Sequence, residues 1–131
     1  MKDLELLTYP IILRPEEKGM YLVNIPDIGN EDGLWTEGTD LANAIFMASD
    51  AIGCVLYDAV DYPKSSKLED IKTVKNEIKT VVSVNMREYR HRNSKKIRKE
   101  VLVPDYLVDL GKKKQLDLSQ VLTDALEAKL E

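Results

Sequence analysis

The chain has 131 residues, of which 44% are apolar and 32% are charged, and its formal net charge is −4 at pH 7. This composition is typical of a folded globular protein and excludes a disordered chain. A single cysteine excludes an intrachain disulfide, and no apolar run approaches the roughly 18 residues that a membrane helix needs. The charged opening, with no apolar signal core behind it, predicts a cytoplasmic protein without a membrane partner.

The first third of the chain predicts an antiparallel meander. Residues 6–13 and 20–26 are rich in aliphatic, aromatic and β-branched residues, and a polar turn separates them. A turn-rich loop at 27–33 and a third strand at 34–39 continue the pattern.

At Leu41 the apolar period changes from that of a strand to that of a helix. Apolar residues recur at intervals of three and four as far as Ala59, which predicts a helix laid across the meander. Thr39 or Asp40 can cap its N-terminus. A second apolar stripe on this helix can be either exposed or covered by the residues that follow: Phe46, Met47, Cys54 and Tyr57.

The middle of the chain contains one clear element. Residues 80–86 predict a strand in which Val82, Val84 and Met86 face one way. Residues 68–79 have helical spacing but can also be extended. Residues 88–96 are polar and basic without periodicity, so they are predicted to be a linker.

The rear of the chain predicts a strand at 97–103 followed by two helices. Pro104 can open the first helix, and Asp117 with Gln120 has the form of a capping box at the start of the second. About 35 residues cannot bury enough apolar surface to be stable alone. We therefore expect the strand to pair with its copy from a second chain, which gives a homodimer with a two-stranded ribbon.

Such a ribbon fits the major groove of DNA, and the alternation of side chains along the strand assigns its two faces. The outward face carries Arg98, Glu100 and Leu102. Arg98 can donate two hydrogen bonds to guanine, whereas Glu100 would repel phosphates unless it accepts from cytosine, and Leu102 can touch only a thymine methyl. The dimer core is expected to contain the other strand face and the apolar stripe of the last helix: Ile97, Val101, Val103, Val121, Leu122 and Ala125.

The rear segment resembles a ribbon-helix-helix DNA-binding domain. The resemblance implies that backbone N–H groups at the start of the last helix bind phosphates, and Leu118 and Ser119 occupy the matching positions. Lys96 and the neighbouring lysines would add nonspecific attraction to phosphates.

The front of the chain resembles the N-terminal domain of HicB-family antitoxins. The similar features are a Tyr-Pro strand at 9–10, a strand that ends in Pro-Asp at 26–27, a Thr-x-Gly turn at 36–38 and an alanine-rich helix. The resemblance covers nearly all of the chain and implies an α+β fold, in which a partial RNase H-like antiparallel sheet with a packed helix precedes the ribbon-helix-helix domain.

This resemblance implies three parts of the chain and a function in a type II toxin-antitoxin pair. Residues 1–87 would form the toxin-binding domain, 88–96 the linker, and 97–131 the dimerisation and DNA-binding domain. The chain would neutralise a small, basic HicA-type toxin, which is an mRNA-cleaving ribonuclease, in a heterotetramer or larger complex. As a dimer it would bind operator DNA and repress its own operon. The alternative is a transcriptional regulator whose front domain binds another ligand or partner, without a toxin.

The charge distribution agrees with a basic partner for the front of the chain. Residues 1–79 carry 8 Lys+Arg against 15 Asp+Glu, a net charge of −7, whereas residues 80–131 carry 11 against 8, a net charge of +3. Acidic side chains complement a basic RNA-binding surface. Trp35 is either an apolar anchor of this contact or a core residue under the helix. The predicted toxin contacts are Asp27, Glu31, Asp32, Trp35 and Glu37.

No catalytic set is evident, so the chain is predicted not to be an enzyme and to need no cofactor. RNase H chemistry needs carboxylates that hold divalent metal, and the first strand has none. His91 is the only histidine and Cys54 lies in the middle of a helix, which leaves no nucleophile-base pair. The carboxylates of residues 27–32 can be a metal site, but a solvated turn is the better explanation.

Overall fold

The computed structural model describes residues 6–130. Contacts divide them into a front unit that ends at Ser94 and a rear unit that starts at Lys95. Within these residues, no helix has the length and apolar character needed to cross a membrane.

The sheet of the front unit has four antiparallel strands, which are β1 (Leu6–Pro15), β2 (Tyr21–Asn30), β3 (Gly33–Gly38) and β4 (Ile78–Asn85). Their order in the sheet is β3-β2-β1-β4. The predicted meander is therefore confirmed, and the strand predicted at 80–86 joins it beside β1.

The loop predicted at 27–33 is shorter than expected. β2 continues to Asn30 past an irregular register that begins after Ile25, and β3 starts at Gly33. Gly29 and Gly33 have φ angles of +89° and +84°, a region that favours glycine. The glycines that suggested a long loop thus allow a strand to bend and turn sharply.

Helix α1 (Leu41–Leu56) covers one face of this sheet and contacts β2, β3 and β4. Ala44, Ala48 and Ile52 on its inner face are fully buried, as their spacing predicts. Asp40 caps the helix, since its Oδ1 accepts a hydrogen bond of 2.8 Å from the backbone of the first turn. The strands contribute the opposite side of the core: Tyr9, Ile11, Leu13, Val23, Ile25, Val82 and Val84.

Helix α2 (Met86–Asn93) occupies most of the predicted linker at 88–96, which corrects that prediction. The polar sequence hid the helix because only Met86 and Tyr89 of its eight residues are buried. Asn85 caps α2 through its side-chain oxygen. Tyr89 packs directly on Gly53 of α1, where a Cβ would overlap the tyrosine ring.

The segment between α1 and β4, residues 57–77, is called the strap below. Apart from a short 3-10 turn at Leu68–Asp70, the strap has no regular structure. The helix that residues 68–79 could have formed is therefore absent, and the extended alternative holds for Ile78 and Lys79, which begin β4. Hydrogen bonds tie the strap to the sheet instead. The hydroxyl of Tyr9 donates to the carbonyl of Pro63 at 2.6 Å, and Lys79 Nζ donates to two carbonyls of the 3-10 region at 3.1 and 3.0 Å.

The rear unit contains α3 (Asp105–Lys113) and α4 (Leu118–Leu130). Pro104 precedes α3 and Asp117 caps α4, as predicted. The strand predicted at 97–103 is not formed in the single chain. A lone strand has no hydrogen-bonding partner, so a second chain would have to supply the other half of a ribbon.

We expect Gly38→Ala to lower the free energy of unfolding by about 1–3 kcal/mol, the usual cost of overpacking. Gly38 is buried at the end of β3, and a Cβ there would overlap the backbone of Ala44. Urea denaturation of both proteins measures the change. Thr39→Ala, at an exposed neighbouring position, is the control and should leave the midpoint unchanged. Equal midpoints for Gly38→Ala and the parent would show that α1 can move away from β3 without cost.

Candidate partner-binding surfaces

Trp35 lies on the sheet face opposite α1. In the register it stands directly across from Asn24 of β2, and Ile12 of β1 continues this row. Its chain neighbours Thr36 and Leu34 pair with Val23 and Ile25, which are buried in the core under α1. Trp35 is 47% exposed, so the alternative that it is a core residue under the helix is wrong, and its role as an anchor of a toxin contact stays a prediction.

A shallow cleft adjoins Trp35 on this face, with Arg14 and Glu77 at one side. Arg14 donates to Glu77 Oε2 through Nε at 3.2 Å and Nη2 at 3.0 Å, and the backbone of Val74 donates to Oε1 at 2.8 Å. The Val74 backbone bond, followed by the Arg14 bond, lowers the pKa of Glu77 below its usual value. Glu77 is therefore held as a carboxylate at neutral pH. The cleft is lined by Ile12, Arg14, Leu22, Asn24, Trp35 and Glu77.

The acidic residues near Trp35 belong to the same hairpin. Glu37 is exposed two positions along β3, on the face that Trp35 occupies, and Glu31 is exposed at the hairpin tip. The Asn24 side chain, across from Trp35, donates to the carbonyl of Asp32 at 3.0 Å and so holds the tip in place. We define Glu31, Asp32, Trp35 and Glu37 as the β2–β3 surface.

Asp27 has a different environment from the other predicted contacts. Its Oδ2 accepts from the backbone N–H of Ser66 and its Oδ1 from the Ser66 hydroxyl, both at 2.7 Å. The carboxylate therefore fixes the strap to β2, and its predicted contact with a toxin gains no support from this geometry. Burial, then the charge of Asp27, raises the pKa of nearby Tyr9, which keeps that hydroxyl protonated as the donor to Pro63.

The outer face of α1 is a second exposed surface. Phe46 is 63% exposed, and Asp50 lies one turn further along the helix. The second apolar stripe thus divides, because Phe46 and Cys54 are exposed whereas Met47 and Tyr57 are partly buried. Tyr57 packs edge-to-face with Tyr89, with ring centroids 6.4 Å apart. Within residues 6–130, no group of three or more His, Cys, Asp or Glu side chains could hold a metal ion.

The rear unit leaves nearly all its apolar side chains in water. Between residues 95 and 130, Gly111 alone is buried. Leu107, Leu110, Val121, Leu122 and Leu126 are 41–52% exposed along the two helices. An uncovered apolar surface of this kind marks an interface. Of the predicted dimer residues, every one is exposed in the single chain: Ile97, Val101, Val103, Val121, Leu122 and Ala125.

The segment 97–103 presents the side chains predicted to face DNA. Leu102 is fully exposed, at 103%, whereas Val101 and Val103 on either side are 56% and 48% exposed. Ile97, which is predicted to share the inward face with Val101 and Val103, is 82% exposed, so the two predicted faces stay a prediction. Arg98, Glu100 and Lys96 are also exposed, with no hydrogen-bonded partner among the described residues.

The start of α4 is less open than the phosphate-binding prediction requires. Asp117 Oδ1 accepts from the backbone N–H of Ser119 at 3.0 Å and of Gln120 at 3.2 Å. The side chain of Gln120 bonds to Asp124 instead of completing a capping box. The Asp117 carboxylate thus already accepts from the backbone N–H of Ser119, which is one of the two groups predicted to bind phosphate. The backbone N–H of Leu118 is the other.

Comparison with known proteins finds similar solved structures, among them a toxin-antitoxin complex and an antitoxin. The chain is 24% identical to a chain of a toxin-antitoxin complex from Streptococcus pneumoniae, with a TM-score of 0.59 over 95% of this chain and 99% of that one. It is 20% identical to the antitoxin HicB of Burkholderia pseudomallei, with a TM-score of 0.53 over 95% and 96% of the two chains. No protein-family model and no curated protein matches the sequence. At these identities the likeness establishes the fold, which agrees with the predicted α+β class.

We expect Asp27→Ala to lower the free energy of unfolding by about 1–2 kcal/mol, because two hydrogen bonds to the strap are lost. Asp27→Asn should restore most of this loss, since its amide can accept from one Ser66 group and donate to the other. Thermal unfolding and limited proteolysis within residues 57–77 measure the effect. Glu31→Ala is the matched control, as it removes an exposed carboxylate from the same hairpin without a hydrogen bond. Unchanged proteolysis of Asp27→Ala would contradict the strap interaction.

Proposed function

We propose that the chain is a HicB-type antitoxin. Its front unit binds and neutralises a small HicA-type ribonuclease toxin, and its rear unit forms a homodimer that binds operator DNA and represses the operon. The observation that carries the proposal is the agreement of fold along 95% of the chain with a toxin-antitoxin complex chain and with an antitoxin HicB.

The β2–β3 surface supports the toxin-binding part of the proposal. An exposed tryptophan supplies an apolar anchor of the type that dominates protein interfaces, and carboxylates surround it. The residues up to 79 carry a net charge of −7, which complements a basic toxin. This contact needs no catalytic group on the antitoxin, because the partner is neutralised when its RNA-binding surface is covered.

The uncovered apolar residues of the rear unit support the homodimer. Leu107, Leu110, Val121, Leu122 and Leu126 lie on two helices that bury almost nothing in one chain. Burial of a leucine or valine side chain contributes about 1.5–3 kcal/mol, so a second copy that covers this face supplies the missing stability. The paired strands would then present two copies of the outward face.

The residues on the outward face of the predicted strand differ in how well they support DNA binding. Arg98 is exposed and has the donor geometry that recognises guanine. Glu100, Leu102 and the Asp117 carboxylate at the start of α4 favour neither bases nor phosphates. We therefore place sequence recognition on Arg98, with Leu118 and Lys96 as contacts to the backbone.

The test is co-expression with the protein of a neighbouring small open reading frame that encodes a basic, histidine-containing chain. We expect the partner to arrest growth alone, and the two together to permit growth and co-purify. A partner that remains toxic and does not co-purify would exclude the antitoxin function. A gene without such a neighbour would favour the alternative, a regulator whose front unit binds something else.

We expect Trp35→Ala to weaken binding of the partner by about 30-fold or more, the loss of a hot-spot residue of roughly 2 kcal/mol. Calorimetric titration of the purified partner measures the dissociation constant. Phe46→Ala is the matched control, since it removes the exposed aromatic side chain of α1. The two variants distinguish the surfaces: loss of affinity in Phe46→Ala but not in Trp35→Ala would move the contact to α1.

We expect Arg98→Ala to weaken operator binding about tenfold or more and to leave the toxin complex intact, because a bidentate guanine contact contributes about 1–3 kcal/mol. Arg98→Lys keeps the charge but loses the planar pair of donors, so discrimination between operator and unrelated DNA should fall. Fluorescence anisotropy with both duplexes measures each effect. Equal operator affinity for Arg98→Ala and the parent would remove Arg98 from the recognition face.

A further inference from the structure

We propose that the toxin binds the front unit by adding one of its own strands to the free edge of β3, at Trp35 and Glu37. The proposal rests on the proposed function, because the partner is the small basic toxin named there. It deepens that function by naming the backbone groups that make the contact. The strand that binds is extended and carries basic residues.

The hydrogen bonds of β2 show which of its backbone groups face β3. The backbone N–H of Glu16 donates to the carbonyl of Met20 at 2.7 Å, so the carbonyl of Met20 is directed towards the β1 side of the hairpin. Backbone groups alternate in direction along an antiparallel strand. The residues whose backbone groups are directed towards β3 are therefore Tyr21, Val23 and Ile25.

Two residues of β3 consequently direct their backbone groups away from the sheet. The residues of β3 that pair with Tyr21, Val23 and Ile25 are Gly38, Thr36 and Leu34. Trp35 and Glu37 alternate with these, and β3 is the last strand at its end of the sheet. Within residues 6–130, no hydrogen bond from a turn, a loop or a cap reaches the backbone of either residue. Their N–H and C=O groups are thus open to a further strand.

The opposite edge of the sheet, formed by β4, is partly occupied. The hydroxyl of Ser49 on α1 donates to the carbonyl of Ser83 at 2.9 Å, and the side chain of Asn85 caps α2. Lys79 belongs to the same strand, and a lysine on an edge strand opposes pairing with another chain. β3 contains neither lysine nor proline. The edge of β3 is therefore the more open of the two.

Charge selects a basic strand over a second copy of this chain as the occupant. Residues 31–40 contain four acidic residues and no lysine or arginine. Two copies that paired through β3 would bring these carboxylates together, whereas a lysine or arginine opposite Glu37 would form a favourable cross-strand pair. Trp35 lies on the same face as Glu37, so it suits an apolar residue of the added strand.

β3 is packed closely at both ends before a partner binds. A Cβ on Gly33 would overlap the backbone of Ile25, and a Cβ on Gly38 would overlap the backbone of Ala44. The strand between these glycines is therefore already in the extended conformation that pairing needs. A preformed edge lowers the entropy cost of binding.

The experiment compares Glu37→Pro with Glu37→Ala in calorimetric titration of the purified partner from the co-expression test. Both variants lose the carboxylate, but only proline also removes the outward N–H. Proline is tolerated on an edge strand where the N–H faces solvent, so the pairing of β3 with β2 is kept.

Val81→Pro is the matched control on the edge of β4. Val81 pairs with Pro10, which has no N–H to exchange, so the N–H of Val81 also faces away from the sheet. The control therefore removes an outward N–H at the other edge. Circular dichroism checks that all three variants keep the fold.

We expect Glu37→Pro to bind the partner about three- to tenfold more weakly than Glu37→Ala, the effect of one lost hydrogen bond. Val81→Pro should keep the affinity of the parent. The difference between the two substitutions of Glu37 isolates the backbone contact, because the loss of charge is common to both.

Amide hydrogen exchange, followed by NMR on the parent chain, tests the contact without a substitution. In the free chain, the amides of Trp35 and Glu37 should exchange fast, and those of Leu34 and Thr36 slowly. Binding of the partner should slow exchange at Trp35 and Glu37 by about 100-fold or more, because both N–H groups become hydrogen-bonded. Should Glu37→Pro lose the fold, this measurement decides the question.

Equal affinities of folded Glu37→Pro and Glu37→Ala, or fast exchange at Trp35 and Glu37 in the complex, would overturn strand addition to β3. A loss of affinity in Val81→Pro alone would overturn it too, by moving the contact to β4. In these cases the partner still binds the parent chain, and the toxin-binding function stands. A parent chain that does not bind the partner would instead remove that function and the strand contact together. The parent titration therefore separates the two failures.

Discussion

The removal of apolar side chains from water is the constraint on which both units depend, and they meet it in different ways. In the front unit, α1 brings Ala44, Ala48 and Ile52 onto the sheet, and small residues at the contact, such as Gly38, allow the close approach. The apolar residues on the two helices of the rear unit, in contrast, are about half exposed in the single chain. The front unit buries its apolar residues within one chain, whereas the proposed homodimer would cover those of the rear unit.

The charged residues are also distributed unevenly along the chain. The acidic residues concentrate before β4, and the cations concentrate in α2 and the residues that follow it. Under the proposed function, the acidic residues of the front unit would complement a basic toxin, and the cations of the rear unit would complement DNA phosphates.

Several side chains that the sequence suggests as ligand-binding residues form hydrogen bonds within the fold instead. Asp27 belongs to an acidic loop, yet its carboxylate holds Ser66 of the strap. Arg90 belongs to a basic run, yet its guanidinium satisfies carbonyls at the end of α1. Asp117 caps α4 at the position where a phosphate was expected. A charged side chain that can reach an unpaired backbone N–H or C=O group forms a hydrogen bond with it, and it is then not free to bind a ligand.

The sequence alone determined the features that depend on local periodicity. Residue type and turn signals predicted the strands of the front unit, and alternation predicted the buried face of β4. The apolar spacing from Leu41 to Ala59 predicted α1, which ends at Leu56, because a repeat of two or 3.6 residues reflects one face against a core. The tertiary structure decided the features that depend on contacts between residues far apart in the sequence. It made α2 a helix, which the buried Met86 and Tyr89 and the hydrogen bonds of Arg90 hold in place. It also ordered the strap without regular structure and placed Trp35 outside the core. In each case the deciding contact lies far away in the chain, where no local pattern records it.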